Sequence, residues 1–272
     1  MKARNLVQKY FPETVSRKII GTWWSQKSQS LETTPFFKAY PAKTDPVFIN
    51  GRARISSERE YIYFRIPKAA NSTIAANMLY YEEGISGNHK AVTDFKVSKR
   101  QLGDLTETEI NSLIPNYYKF TVVRDPYSRL VSAYSDKILG NKRFHRSKVE
   151  RFLKKRPGDE IKLSEFIDFL EFGEGVHSDG HWARQTDLIG IPLEDLNFIG
   201  KCERLSEDLP HIMNRIYDRS EKTLNHAPHA TGSTRGGVDA DRGALLASRG
   251  GLAVAGGGGS SSSRGVEQTL DT

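Results

Sequence analysis

The sequence predicts an α/β protein in which helices flank a central, mostly parallel sheet. Apolar runs of strand length, YIYFRI, YKFTVV and LNFIG, alternate with segments of helical period between about Arg54 and Glu207. Strands joined by helical crossovers form parallel sheets that are covered on both faces. At 272 residues the chain is long enough for one large domain with a sizeable core.

Three regions differ in composition. Residues 1–55 mix aromatic residues with proline and polar residues and show no sustained period, so we expect a loosely structured lead-in that packs on the core. Residues 56–226 form the predicted sheet domain. Residues 227–272 are rich in Gly, Ser and Ala and contain no aromatic residue, which predicts a disordered tail. A shifted reading frame near Thr231 would produce so abrupt a change.

Charge and cysteine usage restrict the class of protein. The net charge of +7 is typical of a protein that binds phosphate, sulfate or a polyanion, although many ordinary proteins are as basic. Cys202 is the single cysteine, which excludes an intramolecular disulfide and argues against a cysteine-ligated zinc site. No apolar run approaches the roughly 18 residues of a membrane span. We therefore expect a cytoplasmic protein without a transmembrane segment; contact with a membrane surface stays open.

The first motif lies where a strand gives way to a helix. In YIYFRIPKAANSTIAANM, residues 61–66 form a predicted strand, and helical spacing resumes at Ile74. The segment PKAANST therefore occupies the loop and the first helical turn, where free backbone N–H groups and the helix dipole attract anions. Lys68 adds a cation, and Ser72 and Thr73 add hydroxyls. The alternative is an ordinary turn in which Asn71 or Ser72 caps the helix.

A second motif repeats this arrangement. YKFTVVRDPYSRLVSAY predicts a strand from Tyr118 to Val123, with Arg124 at its carboxyl end, and a helix capped by Asp125. Open α/β sheets bind ligands at the carboxyl ends of parallel strands, so Arg124 and Ser132 are expected to face a second anion. The alternative is a surface ion pair between Arg124 or Arg129 and nearby aspartates.

These motifs resemble those of the sulfotransferases that use 3'-phosphoadenosine 5'-phosphosulfate. PKAANST looks like their 5'-phosphosulfate loop and RDPYSRLVSAY like their 3'-phosphate motif. A third segment, HSDGHWARQTDLIGIPLEDLNFIGKCERLSEDL, resembles the carbohydrate sulfotransferase branch, also called family 2-like. The resemblance implies a P-loop-like sulfotransferase fold. Ile189, Gly190 and Ile191 stand where many secreted-pathway relatives carry paired cysteines, which is typical of a bacterial-type member.

The resemblance also implies roles for single residues. Lys68 would meet the bridging oxygen of the donor, Arg124 and Ser132 its 3'-phosphate, and His181 and Trp182 a sugar acceptor. Catalysis would need no metal. The resemblance assigns the 5'-phosphosulfate to the loop residues Pro67, Lys68, Ala69, Ala70, Asn71, Ser72 and Thr73.

A general base must take the proton of the acceptor hydroxyl. We predict His89 for this role, because it follows the first helix and can return to the cleft. Glu82, Glu83 and His181 are alternatives.

The expected function is sulfuryl transfer to a hydroxyl of a carbohydrate or glycolipid, without a nucleic-acid partner. A nucleotide-dependent kinase is a second interpretation, which the absence of GxxxxGK[ST] disfavours. A non-catalytic polyanion- or nucleotide-binding protein is a third. Relatives usually continue past the equivalent of His226 with an aromatic-rich helix, so activity in this chain depends on how residues 227–272 behave. The sequence leaves the oligomeric state open.

Overall fold

Four strands and eleven α-helices build the part of the chain that the structure describes. The computed structural model describes residues 13–218 except 87, 98–99 and 174, and all of them belong to one compact unit. The predicted tail at 227–272 therefore lies outside the described residues. The strands are β1 (Ala53–Ser56), β2 (Tyr61–Phe64), β3 (Tyr118–Val123) and β4 (Phe198–Lys201).

The helices fall before, between and after the strands. They are α1 (Glu13–Glu32), α2 (Pro35–Ala39), α3 (Pro46–Asn50), α4 (Asn71–Glu83), α5 (His89–Phe95), α6 (Glu107–Asn116), α7 (Pro126–Tyr134), α8 (Arg143–Phe152), α9 (Leu163–Phe172), α10 (Gly175–Ser178) and α11 (Leu205–Tyr217). A π-helical turn, Ser135–Leu139, extends α7. Among these described helices, none is both long and apolar enough to cross a bilayer.

The strands form one sheet in the order β1-β2-β3-β4. β2 pairs with β3, and β3 with β4, in parallel, whereas β1 pairs antiparallel with β2. The predicted helix-flanked, mostly parallel sheet is therefore confirmed. The antiparallel edge strand β1 was not predicted, because four residues of mixed polarity carry too short a pattern to distinguish a strand from a loop.

Alternating side chains of β2 divide the core in two. All four of its residues are buried. Tyr61 and Tyr63 pack with α4 and α11 on one face, and Ile62 and Phe64 pack on the other. Successive side chains of a strand point to opposite faces, so one short apolar strand supports both layers. A third cluster, between α7, α8 and α9, contains Trp182.

The N-terminal region is helical where we expected a loose lead-in. α1, α2 and α3 precede the sheet, and Phe36 and Ile49 are almost completely buried in the core that Phe64 joins. The helices α2 and α3 each have only five residues and begin with a proline. Segments this short cannot show a helical period, which explains why α2 and α3 were missed.

Candidate active site

The turn between β2 and α4 has an unusual backbone. Lys68 and Ala70 have φ angles of 67° and 52°, in the left-handed region that non-glycine residues rarely adopt. Such strain tends to concentrate at functional sites. Ala70 occupies the cap position of α4, and no side chain caps this helix. The capping role considered for Asn71 or Ser72 is therefore wrong, and the first N–H groups of α4 have no capping side chain.

Lys68 is held over this turn by an acidic partner. Its Nζ lies 3.1 Å from Oδ2 of Asp136, which also lies 3.0 Å from Nζ of Lys137. Burial lowers the pKa of Lys68, and the charge of Asp136 partly opposes this. Although burial alone would raise it, the two lysines lower the pKa of Asp136 to about 2. One carboxylate is thus shared by two ammonium groups, so the three side chains together carry a net positive charge.

A second lysine reaches the first turn of α4. Lys96, immediately after α5, donates from Nζ to Oγ of Ser72 at 2.6 Å. Burial, followed by the charge of Arg65, lowers the pKa of Lys96 to about 8. Asn71 contributes a buried side-chain oxygen that has no hydrogen-bond partner. The first turn of α4 thus carries the polar side chains of Asn71 and Ser72, and Lys96 brings a cation to it from the end of α5.

Arg129 holds the turn through hydrogen bonds to backbone carbonyl oxygens. Its guanidinium donates to the carbonyl oxygens of Pro67 at 2.9 Å, Ala183 at 2.8 Å and Gly180 at 3.0 Å. Arg129 is only 5 % exposed, and burial, followed by the charge of Arg52, lowers its pKa to about 10. The surface ion pair considered for Arg129 is therefore wrong. This arginine fixes the segment around Gly180 against the loop that carries Lys68.

Arg124 lies at the carboxyl end of β3, as predicted. Gln185 clamps its backbone, accepting from the N–H at 3.0 Å and donating to the carbonyl at 2.8 Å. The Arg124 side chain reaches the loop, where Nη1 donates to the carbonyl oxygen of Lys68 at 3.3 Å. The structure thus brings the first two sequence motifs together.

Residues of the third sequence motif contact the Arg124 turn of the second motif. Asp125 caps α7 as predicted, accepting from the N–H of Ser128 at 2.8 Å, and its own N–H donates to Glu203 at 2.8 Å. Ser132 lies half-buried on α7, one turn beyond Ser128. Cys202 is half-buried beside Arg124, and burial raises the pKa of its thiol. Glu203 and Gln185, which the sequence analysis did not select, are the residues that orient the Arg124 turn.

His181 and Trp182 have different environments. The imidazole Nδ1 of His181 lies 2.5 Å from Oδ1 of the buried Asp179. The indole of Trp182 is 6 % exposed, packs against Phe166, and donates from Nε1 to the carbonyl of Gly175 at 2.6 Å. An indole this buried has no open face for a sugar ring. Trp182 instead anchors the segment beside His181, so the structure does not support the contact with a sugar acceptor that the resemblance implies for it.

The other base candidates lie on α4 and α5. His89 is exposed and is the first residue of α5. Glu82, near the end of α4, accepts from Tyr61 at 2.6 Å and pairs with Arg54 at 2.6 Å. Glu82 lies ten residues beyond Ser72, a rise of about 15 Å along the helix, so Glu82 is far from the loop. Glu83 is exposed at the same end of α4. The arrangement disfavours both glutamates as bases.

One further cluster joins the site. His145 Nδ1 lies 3.0 Å from Oδ2 of Asp179, so that one carboxylate contacts two imidazoles. Within the described ranges these three side chains also form a group close enough to share a cation, with their ligand atoms within 4.8 Å of one another. His145 was not selected from the sequence, because no motif connects α8 to the segment around Asp179.

Comparison with known protein sequences identifies the family. The model of the sulfotransferase family matches residues 52–233. Carbohydrate sulfotransferase 14 of Danio rerio is 26% identical over 173 residues, covering 60% of this chain and 47% of that protein. Carbohydrate sulfotransferase 10 of Homo sapiens is 26% identical over 192 residues, covering 61% and 52%. Carbohydrate sulfotransferase 11 of Rattus norvegicus is 27% identical over 183 residues, covering 58% and 51%.

The chain thus spans about half the length of the curated relatives it matches. No solved structure matches it. The family match begins one residue before β1 and includes all four strands, the loop at Lys68, the Arg124 turn and the segment around His181. Because this match covers well over half of the chain, the protein belongs to the sulfotransferase family.

Proposed function

We propose that the protein transfers a sulfuryl group from 3'-phosphoadenosine 5'-phosphosulfate to a hydroxyl of a carbohydrate. The observation that carries the proposal is the uncapped first turn of α4 among partly buried cations, Lys68, Lys96 and Arg124, at the carboxyl edge of the sheet. Family membership supplies the reaction class, and the names of the relatives supply the acceptor class.

The donor would be bound through its two anionic ends. The N–H groups at the start of α4, with the hydroxyls of Ser72 and Thr73, suit the 5'-phosphosulfate. Arg124 and Ser132 suit the 3'-phosphate, since a guanidinium recognises phosphate oxygens with two parallel hydrogen bonds. Burial lowers the pKa of Lys68 and of Lys96, so an incoming anion would offset the electrostatic cost of burying these two cations.

Lys68 would act on the leaving group. In an in-line displacement the acceptor oxygen bonds to sulfur while the bond from sulfur to the bridging oxygen breaks. The electron pair of that bond stays on the 5'-phosphate, where negative charge develops. An ammonium group positioned at this oxygen stabilises the transition state more than the ground state. Asp136 holds the ammonium near the turn until the donor offers a stronger partner.

An acidic carbohydrate is the favoured acceptor. A cleft of about 460 Å³ runs along α8, and its lining residues include Arg143, Arg151 and Lys155. His145 of the same helix contacts Asp179. The helix α8 therefore lines this cleft and also contacts the segment around His181. A basic cleft attracts and orients an acidic chain. A glycolipid acceptor with an acidic sugar headgroup satisfies the same chemistry.

A transfer assay tests the proposal. The protein is incubated with radiolabelled donor and a panel of p-nitrophenyl glycosides and uronic-acid polysaccharides, and labelled products are separated by chromatography. We expect labelled sugar that disappears in Lys68→Ala and persists in Lys90→Ala, a control on the exposed face of α5. Labelled product that forms equally with Lys68→Ala would contradict the role of the loop. Transfer of phosphate from ATP instead would favour a kinase.

A further inference from the structure

The segment from Asp179 to Ala183 is built into the proposed donor site. Arg129 binds the carbonyl oxygens of Gly180 and Ala183 with the same guanidinium that binds Pro67, the residue before Lys68. The guanidinium of Arg52 lies against Gly180, where an added Cβ would come within 3.0 Å of Nη2. His181, between the two clamped carbonyls, therefore keeps a fixed position relative to the loop.

Asp179 sets the orientation of His181. Asp179 is buried, and Oδ1 of its carboxylate accepts from both the backbone N–H of His181 at 3.0 Å and the ring Nδ1 at 2.5 Å. A carboxylate only accepts, so Nδ1 carries the proton and Nε2 keeps its lone pair. The imidazole retains 21 % exposure, compared with 9 % for the Asp179 side chain, so it is the part of the pair that reaches solvent.

A second imidazole supports the same carboxylate. His145 Nδ1 lies 3.0 Å from Oδ2 of Asp179, and the rings of His145 and His181 meet edge to face at 5.1 Å. Although burial would raise it, the hydrogen bond from His181 and the close contact with His145 lower the pKa of Asp179. The carboxylate thus stays charged and can stabilise an imidazolium as it forms at His181.

Burial keeps His181 neutral before the reaction. Burial lowers its pKa to about 4, the hydrogen bond and charge of Asp179 oppose this, and the positive charges of Lys137 and Arg52 lower it further. Lys137 shares Asp136 with Lys68, which connects His181 electrostatically to the leaving-group side of the site.

We propose that His181 is the general base that takes the proton of the acceptor hydroxyl through Nε2, and that Asp179 is its positioning residue. This inference rests on the proposed function and replaces His89 in that role. As the acceptor oxygen bonds to sulfur, its proton moves to Nε2 and the bond from sulfur to the bridging oxygen breaks. The electron pair remains on the phosphate beside Lys68, and the imidazolium later releases its proton to water.

The test compares single variants with the p-nitrophenyl glycoside that the wild type sulfates fastest. His181→Ala should lower kcat by about a hundredfold or more, the contribution typical of a general base, with unchanged affinity for 3'-phosphoadenosine 5'-phosphate. Added imidazole should restore part of the rate. His177→Ala, an exposed histidine four residues away, is the matched control and should keep wild-type turnover. Unchanged nucleotide affinity also establishes that the variant is folded.

The variant Asp179→Asn tests whether Asp179 positions His181 for catalysis or only stabilises the fold. Because the carboxylate raises the pKa of His181, the variant should move the acid limb of kcat/KM to lower pH and reduce kcat. A limb that stays in place would overturn the role of Asp179. A larger loss of kcat in His89→Ala than in His181→Ala would overturn the inference as a whole, as would activity that EDTA abolishes and zinc restores. A wild-type protein without any transfer activity would instead refute the proposed function.

Discussion

Removing the guanidinium of Arg129 should destabilise the fold and loosen the donor site together. Arg129→Met keeps an unbranched apolar side chain but leaves the carbonyl oxygens of Pro67, Gly180 and Ala183 without their donors. A hydrogen bond to a charged group contributes about 1.5 to 3 kcal/mol. Burial of this cation is itself costly, as its lowered pKa indicates, so we take the lower end of the range. Three bonds then give a loss of about 4.5 kcal/mol in the free energy of unfolding.

Urea unfolding followed by tryptophan fluorescence measures this loss, since Trp182 lies in the segment that Arg129 holds. Arg184→Met, an exposed arginine of the same segment, is the control and should change stability by less than about 0.5 kcal/mol. Arg129→Lys should recover only part of the stability, because a compact ammonium cannot reach three carbonyls in a fork. A loss below about 1 kcal/mol in Arg129→Met would refute the clamp, since even one lost charged bond should exceed it.

Three further predictions follow from the site and its surroundings. Lys68→Ala should lower kcat more than donor affinity, because the developing charge on the leaving oxygen appears only in the transition state; steady-state kinetics beside calorimetry would show this, and an equal loss in both would contradict it. Glu82→Gln should lower the free energy of unfolding by about 1 to 3 kcal/mol, because Glu82 binds Arg54 and Tyr61. Its kcat should be unchanged, because these contacts lie away from the loop. A large fall in kcat would support Glu82 as the general base. The free energy of unfolding should rise with pH between about 4 and 6.5, by up to about 1.4 kcal/mol per pH unit, because the unfolded His181 binds a proton there that the folded one does not. His181→Gln should reduce that slope, and a slope unchanged from wild type would contradict the lowered pKa.

Local patterns in the sequence predicted the centre of the fold. β3 spans the residues that the apolar run YKFTVV marks, and Asp125 caps α7 as its position before a proline indicates. The loop at Lys68 also lies at the predicted join between strand and helix. These features depend on residues close together in the chain, where periodicity and capping rules apply.

Long-range contacts explain what the sequence did not reveal. Arg129 looked like a surface residue, yet it holds carbonyls more than 50 residues away, at Gly180 and Ala183. Lys96 lies 24 residues from Ser72, and His145 reaches Asp179 from another helix. Nothing in the local spacing of these residues indicates a partner, because their partners are chosen by how the helices pack on the sheet.

The central claim is that Lys68 and Arg124 belong to one site, which binds a nucleotide that carries phosphate at both its 5' and its 3' position. Calorimetric titration with 3'-phosphoadenosine 5'-phosphate, beside ADP under the same conditions, tests it most directly. We predict micromolar binding of the 3'-phosphorylated nucleotide, at least tenfold weaker binding of ADP, and loss of this preference in Arg124→Ala. Equal affinities for the two nucleotides, or a preference that survives in Arg124→Ala, would contradict the account.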